Sequence, residues 1–344
     1  MYSVTNNRGF IPQSEQFDDR DMIGEDIKAY KIIHNKDFAY NPARINVGSI
    51  AKYNGSKPCM ISSLYVCFKA IKGIDEDWLM HLLQSPKIQY CYKINGEGGV
   101  RIYLFYPNFA RIRTSFPPIA EQRKIATLLS LLDARIATQN KIIEDLKKLK
   151  SAIIHRCYSS QTNMIPLFKL LKQCSDRNRS GSDLQVLSVS NKYGFMAQSD
   201  QFDDRGVASD DTSNYKIVKK GLFAYNPARI NVGSIALYET DGNGIVSPMY
   251  VCFTTKSELL PSYLKYYFAS QTFKHEMHKR LEGSVRLCLT FEGLCNIGVS
   301  LPSIKQQEDV SKNLSTIENK SSLEEAVLSQ YQRQRSYLLS QMFI

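Results

Sequence analysis

The stretch Phe38-Ala-Tyr-Asn-Pro-Ala-Arg-Ile-Asn-Val-Gly-Ser-Ile-Ala51 occurs a second time, letter for letter, at residues 223–236. The separation is 185 residues, and the same separation relates residues 16–20 to residues 201–205. No insertion or deletion is needed between residues 2 and 122, and roughly 40% of the aligned positions agree. That period is far longer than a solenoid repeat, so the chain contains one domain-sized unit twice.

The composition is that of a globular protein with a polyanionic partner. The 344 residues are 43% hydrophobic and 22% charged, and the formal net charge is +11. Such a basic balance favours a nucleic acid as the partner. The eight cysteines form no C-x-x-C pair, which is typical of reduced thiols in the cytosol. No signal peptide or apolar run of membrane-spanning length is present, so we expect a soluble, cytoplasmic protein with no membrane partner.

Two long helices are predicted after the globular copies. Residues 119–157 contain no Gly or Pro, and apolar residues recur there every seven positions. The positions at this spacing are Ile125, Leu132, Gln139, Leu146 and Ile153. The pattern predicts a heptad helix roughly 55–60 Å long. The 185-residue offset places an equivalent, more polar helix at residues 304–344, with Glu324 where the first helix has Gln139.

These patterns divide the chain into four segments. Residues 1–118 and 160–303 are the two globular domains, and residues 119–159 and 304–344 are the central and C-terminal helices. Residues 160–185 have no counterpart ahead of the first copy, so we expect the first domain to lack its N-terminal segment. Within that domain, residues 60–68 are an apolar run of strand length, and residues 75–92 have helical spacing.

The sequence offers no convincing catalytic, cofactor or metal site. It contains neither a P-loop nor a G-x-S-x-G elbow. His275 and His278 have no third ligand nearby in the sequence. Residues 41–44 lack the second proline and the aromatic residue of an amino-methyltransferase motif, and no glycine-rich cofactor loop precedes them. The acidic pairs at residues 18–19 and 203–204 fit an ion pair or a turn cap better than a nuclease metal site.

Binding residues are expected in the repeated blocks. Arginine and asparagine donate to phosphates and base edges, although a structural ion pair is an equal alternative for each arginine. A glycine loop followed by an arginine in each copy can hold a phosphate, or it can be an ordinary turn. The candidate DNA-binding residues are Arg44, Asn46, Gly98, Arg101, Arg229, Asn231, Gly283 and Arg286.

The whole arrangement resembles the specificity subunit of a type I restriction–modification enzyme. The resemblance rests on the two identical blocks and on Pro117-Pro-Ile-Ala-Glu-Gln-Arg-Lys-Ile125. The latter is similar to the Pro-x-x-x-Glu-Gln-x-x-Ile junction at which the long helices of that family begin. Residues 301–307 are a weaker copy, with Gln306 in place of the glutamate.

The resemblance implies an α+β fold in which two similar mixed α/β target recognition domains are separated by two long helices that pair as an antiparallel coiled coil. Each domain would read one half of a bipartite site in double-stranded DNA. The helices would set the gap and dock methyltransferase subunits, and restriction/translocase subunits would join them. The chain would be non-catalytic and hold no cofactor, with S-adenosylmethionine, ATP and Mg on the partner subunits.

Three other functions remain open from the sequence. One is the specificity subunit of a type II restriction–modification system of similar architecture. A stand-alone DNA methyltransferase is disfavoured by the missing cofactor loop. A coiled-coil scaffold that binds no nucleic acid would also explain the helices.

Two finer expectations follow from the repeat. Domains that read different half-sites should differ where they read bases. Base readout is therefore expected in the divergent spans, which are residues 21–37 against 206–222, 52–64 against 237–249, and 69–95 against 254–280. In an antiparallel pair the middles of the helices meet, so Gln139 and Glu324 should approach each other and set the register, since a polar group in the seam penalises slipped pairings.

Overall fold

The computed structural model describes residues 1–6, 8–16, 27–99, 102–159, 164–201, 211–283 and 287–343. The chain divides into two units. Unit 1 comprises residues 1–141 and 325–344, and unit 2 comprises residues 142–324. Each unit thus contains one globular copy and a part of each long helix. The four-segment division made from the sequence stays a prediction. In the described part of the chain, no helix is both long and apolar enough to cross a membrane.

Unit 1 mixes short strands and helices around two sheets. Its described strands are β1 (Tyr2–Thr5), β2 (Gly9–Pro12), β3 (Lys31–Ile33), β4 (Phe38–Tyr40), β5 (Ile50–Lys52), β6 (Cys59–Ile61) and β7 (Val66–Phe68). Its helices are α1 (Gln13–Gln16), α2 (Glu76–Leu83), α3 (Pro86–Asn95), α4 (Tyr106–Ala110) and the first part of α5 (Ile119–Tyr158). The strand orders are β2-β1-β6-β3 and β5-β4-β7, with β1 and β6 parallel.

Unit 2 repeats this order and adds strands at its start. The strands are β8 (Met164–Pro166), β9 (Leu171–Cys174), β10 (Val186–Ser190), β11 (Gly194–Ala197), β12 (Lys216–Val218), β13 (Phe223–Tyr225), β14 (Ile235–Leu237), β15 (Gly244–Val246), β16 (Val251–Thr255) and β17 (Gly298–Ser300). The helices are α6 (Gln198–Gln201), α7 (Pro261–Phe268), α8 (Gln271–His278), α9 (Phe291–Cys295) and α10 (Ile304–Met342). The predicted α+β class is confirmed, and equivalent elements follow the 185-residue offset.

The repeated block lies at the centre of each unit. All residues of β4 and β13 are buried, because each strand has a neighbour on both sides and a helix layer over its aromatic face. Phe38 stacks on Phe68 at 5.1 Å between ring centroids, and Phe223 stacks on Phe253 at the same distance. Identical sequence in the two copies therefore builds the same aromatic core.

One expectation inside unit 1 requires correction, and a second is confirmed in more detail. Residues 60–68 are not one strand, because β6 and β7 belong to different sheets and residues 62–65 form a turn between them. Residues 75–92 are helical as expected, and they form two consecutive helices. The Asp75 side chain accepts hydrogen bonds from the Asp77 and Trp78 amides in the first turn of α2, and Ser85 accepts one from the Ile88 amide in α3, which begins at Pro86. A new capping residue next to a proline restarts the helix after Gln84.

A buried glutamine joins each long helix to its globular copy. The side chain of Gln122 accepts a hydrogen bond from the Asp75 amide at 2.9 Å and donates to the carbonyls of Gly73 and Pro117. Gln307 makes the same three bonds to Leu260, Glu258 and Pro302. Both glutamines are at most 1% exposed. The glutamine of the junction motif is therefore a structural residue.

The long helices run antiparallel within each unit. In unit 1, Arg335 of α10 bonds to Asp133 of α5, and residues near the start of α5 pack with residues near the end of α10. In unit 2, Lys150 of α5 bonds to Glu318 of α10 at 2.7 Å. The two ion pairs are equivalent by the 185-residue offset, because Asp133 corresponds to Glu318 and Lys150 to Arg335. The antiparallel arrangement predicted from the sequence is confirmed within each unit.

The predicted approach of Gln139 and Glu324 concerns residues of two different units. Gln139 belongs to unit 1 and Glu324 to unit 2. Gln139 is buried, and Glu324 forms an ion pair with Lys320 one turn earlier on α10. Their approach and its effect on the register stay predictions.

Candidate nucleic-acid interface

The identical block forms the same turn in both units. In unit 1, the Asn41 side chain accepts a hydrogen bond from the Ala43 amide at 3.0 Å, which starts a short 3-10 helix at Ile45–Val47. Gly48 ends that helix with a left-handed φ of 92°. Asn226, Ala228 and Gly233 repeat this geometry in unit 2, where the glycine φ is 95°. A side chain at either glycine would strain the turn, so both copies need glycine here.

Buried anchors hold each turn against the core. Ile45 and Ile230 are buried in the cores of their units. The Ser49 hydroxyl donates to the Val4 carbonyl at 2.8 Å, and Ser234 donates to Val189 at 2.9 Å. With the backbone fixed in this way, the turn leaves the side chains of Arg44 and Val47 exposed in unit 1, and those of Arg229 and Val232 in unit 2.

The outward-facing side chains include the predicted arginines. Arg44 and Arg229 are exposed, and neither forms an ion pair with any residue in the described ranges. Asn46 is half-buried and Asn231 is exposed. Val47 and Val232 beside them are both 54% exposed. The alternative of a buried structural ion pair is therefore not supported for either arginine within the part of the chain that is described.

The predicted glycine loops are closed at their bases by backbone pairing. Glu97 and Tyr103 exchange two backbone hydrogen bonds of 2.8 Å, and Glu282 pairs with Cys288 in the same way. Gly98 and Gly283 have φ values of 113° and 112°, which favour glycine. Arg101 and Arg286 lie outside the described residues, so their predicted role stays a prediction.

The structure brings the two predicted sites together in each unit. The Leu104 amide, just after the first glycine loop, donates to the Pro42 carbonyl of the repeated turn at 3.0 Å. The Leu289 amide donates to the Pro227 carbonyl at 3.1 Å. Segments more than 50 residues apart in sequence thus meet at one surface. We call this pair of neighbouring loops the shared loop pair; its described residues are 41–49 with 97–99 and 102–103 in unit 1, and 226–234 with 282–283 and 287–288 in unit 2.

Helices α3 and α8 lie beside the shared loop pair and differ between the units. Ile88 and Tyr92 of α3 pack with Ile45, and Phe273 and Met277 of α8 pack with Ile230. The opposite faces of the two helices are exposed and have different residues. They carry Tyr90, Lys93 and Ile94 on α3, and His275 and His278 on α8 with Lys279 directly after its end. These residues lie in the predicted divergent spans, but the sequence alone did not single them out for base contact.

A cleft of about 480 Å³ lies between the turn and helices α7 and α8 of unit 2. Asn231, Lys265 and Lys274 contribute polar groups to its lining. Lys265 is paired with Glu239 at 2.8 Å, whereas Lys274 is exposed. The equivalent positions in unit 1 are Met80 and Gln89. The cleft is therefore more cationic in unit 2 than the matching surface of unit 1.

The described residues show no constellation for metal or thiol chemistry. No group of three His, Cys, Asp or Glu side chains in these ranges could hold a metal ion, His275 and His278 included. The eight cysteines are free thiols. Burial raises the pKa of the Cys252 thiol to about 12, so it stays protonated and unreactive. The acidic pairs at residues 18–19 and 203–204 lie outside the described residues.

The known proteins that this chain resembles come from type I restriction–modification systems. No protein-family model matches the chain. The specificity subunit of the type I restriction enzyme MjaVIII of Methanocaldococcus jannaschii is 24% identical over 309 residues, which are 80% of this chain and 70% of that protein. The crystal structure of a type I restriction–modification system S subunit from M. genitalium matches with a TM-score of 0.59 at 14% identity, over 90% of this chain and 83% of that one.

A third match is a chain from a structure on complex assembly and conformational transition of the type I restriction–modification system. It has a TM-score of 0.53 and 15% identity, and the match covers 90% of this chain and 82% of that one. In sequence the chain is thus similar to a type I specificity subunit, and in fold it is similar to an S subunit. The resemblance stated from the two repeated blocks is confirmed.

Proposed function

We propose that this chain is the DNA-recognition subunit of a type I restriction–modification complex, in which each unit reads one half of a bipartite site. The chain itself performs no catalysis. Methylation and cleavage belong to partner subunits, which hold S-adenosylmethionine, ATP and Mg. The sequence similarity to a named specificity subunit supports this assignment.

One observation carries the proposal. Both units present the same shared loop pair, with an exposed arginine that no described residue pairs with. A guanidinium left free by the fold is available for a phosphate, and a backbone that fixes it identically in both units can position two half-sites alike. Contacts of this kind set orientation and affinity, and they carry no base information.

Specificity is assigned to the exposed faces of α3 and α8. They stand next to the shared loop pair, and their residues differ between the units. Lys93 can donate to guanine, and His275 and His278 can donate or accept, whereas Tyr90 and Ile94 offer apolar contact to a base edge. The two half-sites are therefore expected to differ at the bases nearest these helices.

The long helices are assigned to docking and to setting the gap. Ion pairs tie α5 to α10 within each unit, so neither helix part can slide freely. Apolar side chains also remain exposed on α5, namely those of Leu128, Leu131, Ile142 and Leu149. Exposed apolar residues on a charged helix surface suit a protein partner, and we assign this surface to the methyltransferase subunits.

Co-expression with a methyltransferase subunit tests the proposal. The expected result is methylation of a bipartite DNA site, read by sequencing methylated bases in the host genome. Omitting this chain is the control and should abolish methylation. Unchanged methylation without the chain would contradict the proposal, as would methylation of a single continuous site.

Salt dependence gives a second test. Phosphate contacts release counterions, so the logarithm of the affinity of the assembled complex should fall linearly with the logarithm of the salt concentration. The slope should be about −0.9 for each phosphate contact. A flat dependence would favour a scaffold that does not bind nucleic acid.

A further inference from the structure

Each unit contains a β-hairpin to which the proposed function gives no role. Strands β1 and β2 pair antiparallel as far as Thr5 opposite Gly9, and β10 and β11 pair as far as Ser190 opposite Gly194. The two glycines have φ values of 63° and 68°, so both hairpins turn in the same way. We call the ends of these hairpins the hairpin tips; their described residues are 5–6 with 8–9 in unit 1, and 190–194 in unit 2.

Equivalent contacts hold the two hairpins to the cores of their units. The ring of Phe10 packs edge-on against that of Tyr53 at 5.2 Å between centroids, and Phe195 packs against Tyr238 at 5.1 Å. A serine of each repeated turn also bonds to the first strand of the hairpin. Each hairpin is therefore fixed in the same place within its own unit.

Both tips lie directly beside the repeated turn that presents the shared arginine. A Cβ atom placed on Gly48 would lie 3.4 Å from the Asn6 Cβ, and one on Gly233 would lie 3.5 Å from the Asn191 Cβ. In unit 2, Asn191 and Lys274 of α8 line the same cleft of about 480 Å³. The tip and α8 thus border one cleft, and a ligand that spans the cleft would meet both.

The tips carry different side chains at equivalent positions. In unit 1, the Arg8 side chain is 57% exposed and donates to the Glu15 carboxylate at 2.7 Å. In unit 2, the equivalent residue is Tyr193, which is 66% exposed. The Lys192 ammonium lies 4.9 Å from the centre of the Tyr193 ring. Hairpins with the same backbone therefore present a guanidinium in one unit and an aromatic ring in the other.

These side chains suit base edges in a DNA groove. A two-stranded β-ribbon fits the major groove, which is about 12 Å wide. A guanidinium donates two hydrogen bonds to O6 and N7 of guanine, and a carboxylate bonded to one of its nitrogens restricts how its plane can turn. An aromatic ring makes apolar contact with the methyl group of thymine. Phosphate contacts would need only a positive charge, whereas discrimination between half-sites needs different groups in the two tips.

We infer that the hairpin tips are a second base-reading element in each unit, an inference that rests on the proposed function. Arg8 reads a guanine in one half-site, and Tyr193 contacts a thymine in the other. Glu15 is a positioning residue, because it acts through the guanidinium. Since the tips are separate elements from α3 and α8, they contact other base pairs of the same half-sites.

Binding to altered half-sites tests the role of Arg8. The assembled complex is titrated with DNA duplexes in which each base pair of the half-site read by unit 1 is replaced in turn. The native complex should prefer guanine by about tenfold or more at one position, and Arg8→Ala should lose the preference there alone. Arg44→Ala is the matched control, and it should weaken binding of every duplex alike. Unchanged preferences in Arg8→Ala, or a loss equal for all duplexes, would overturn the inference.

A change at Glu15 separates positioning from stability. Glutamine keeps one acceptor oxygen but loses the charge, so Glu15→Gln should lower the guanine preference by a smaller factor than Arg8→Ala does. Glu15→Asp keeps the carboxylate and should restore part of the preference. Both variants should melt at the native temperature, because the pair is exposed. A lower melting temperature of Glu15→Gln with the native guanine preference would contradict the positioning role.

Exchanging the tip residues tests both units at once. Arg8→Tyr combined with Tyr193→Arg should move the guanine preference from the half-site of unit 1 to that of unit 2. A guanine preference that stays in the first half-site would overturn the inference. Tyr193→Ala alone should relax one position of the second half-site and leave the first unchanged.

Failure of the proposed function has a different signature. The native complex would then bind no bipartite site, and the inference would fall with it. Failure of the inference alone leaves the native bipartite site intact and removes only the effect of the tip variants on base preference.

Discussion

Units 1 and 2 share a backbone plan and differ in what they add to it. The shared loop pair, the buried glutamine and the interhelical ion pair occur in both at the 185-residue offset. The exposed faces of α3 and α8 differ. The sheet edges differ too, because β9 covers β16 in unit 2, whereas the equivalent β7 is an edge strand among the described residues of unit 1. Identical residues therefore build the same scaffold in both units, and the proposed discrimination between half-sites falls to the divergent residues.

The largest effect is expected from exchanging the divergent helix faces. The change Tyr90→His, Lys93→His and Ile94→Lys places in unit 1 the residues that unit 2 has at the equivalent positions 275, 278 and 279. Because the replaced side chains face outward, the fold should persist while the half-site read by unit 1 changes to resemble the other half. Sequencing of methylated DNA from cells with the assembled complex measures the outcome.

The reciprocal change His275→Tyr, His278→Lys and Lys279→Ile on α8 is the matched control. It should alter the other half-site and leave the first intact. If both variants methylate the original site, base readout does not lie on these helices.

A smaller and uniform effect is expected from the shared arginines. Arg44→Ala and Arg229→Ala should each weaken DNA binding of the assembled complex for all sequences alike, and reduce the salt slope by about one. The control Lys148→Ala removes an exposed cation that is paired with Glu144 on α5. Binding isotherms at several salt concentrations provide the measurement. A loss confined to particular base sequences would show that the arginines read bases instead.

The junction glutamines should affect stability by similar amounts in the two units. Gln122→Ala leaves the Asp75 amide and two carbonyls without partners, and Gln307→Ala does the same in unit 2. Each change should cost about 1–3 kcal/mol of unfolding free energy. Gln332→Ala, at an exposed position of α10, should change little. Denaturant titration measures all three. A cost as small as that of Gln332→Ala would mean that the hydrogen bonds do not hold the helix to the domain.

The smallest expected effect is a dependence of stability on pH, which is expected in unit 1 because it has a buried histidine where unit 2 has a tyrosine. Buried His81 of unit 1 lies 3.2 Å from the Ser130 hydroxyl, and the equivalent Tyr266 of unit 2 donates to Glu318 at 2.8 Å. Burial lowers the pKa of His81, and Asp133 opposes this shift while Arg335 adds to it. Asp77 raises the pKa of His81 and Lys52 lowers it, both by less than Asp133 and Arg335 do.

Because the folded state binds this proton less readily than the unfolded chain, the stability of unit 1 should be constant above the ordinary histidine pKa of about 6.5 and fall below it. Melting temperatures between pH 8 and pH 5 should show this fall, and His81→Gln should reduce it. The exposed His34→Gln is the control. An equal pH dependence in the native chain and in His81→Gln would contradict the assignment.

The sequence predicted much of this plan because the repeat fixes equivalent elements and the heptads fix the helices. It also placed Arg44 and Gly98 among the candidate binding residues. It could not show that their loops meet, since the Pro42–Leu104 bond joins distant segments. Sheet order was hidden for the same reason. Strand β1 pairs with β6, where Tyr2 lies opposite Ile61, and local sequence does not reveal a pairing between such distant segments.

Other features depended on burial, which composition does not reveal. Gln122 looks like part of a helix-start motif, yet its function is to satisfy backbone groups 47 residues away. Residues 60–68 looked like one strand because most of them are apolar, although residues 62–65 form a turn that separates two strands. Exposure, rather than residue type, distinguished Tyr90 from the buried Tyr92 on the same helix.

The chain has a single tryptophan, Trp78, and it lies in the core of unit 1 at 2% exposure. Its ring is 5.8 Å from that of Phe343, at the end of α10 in the same unit. Light that excites only tryptophan therefore reports on unit 1 alone, while circular dichroism reports on both units. One unlabelled sample can thus yield two unfolding curves, and their separation measures how independently the two copies of the repeat melt.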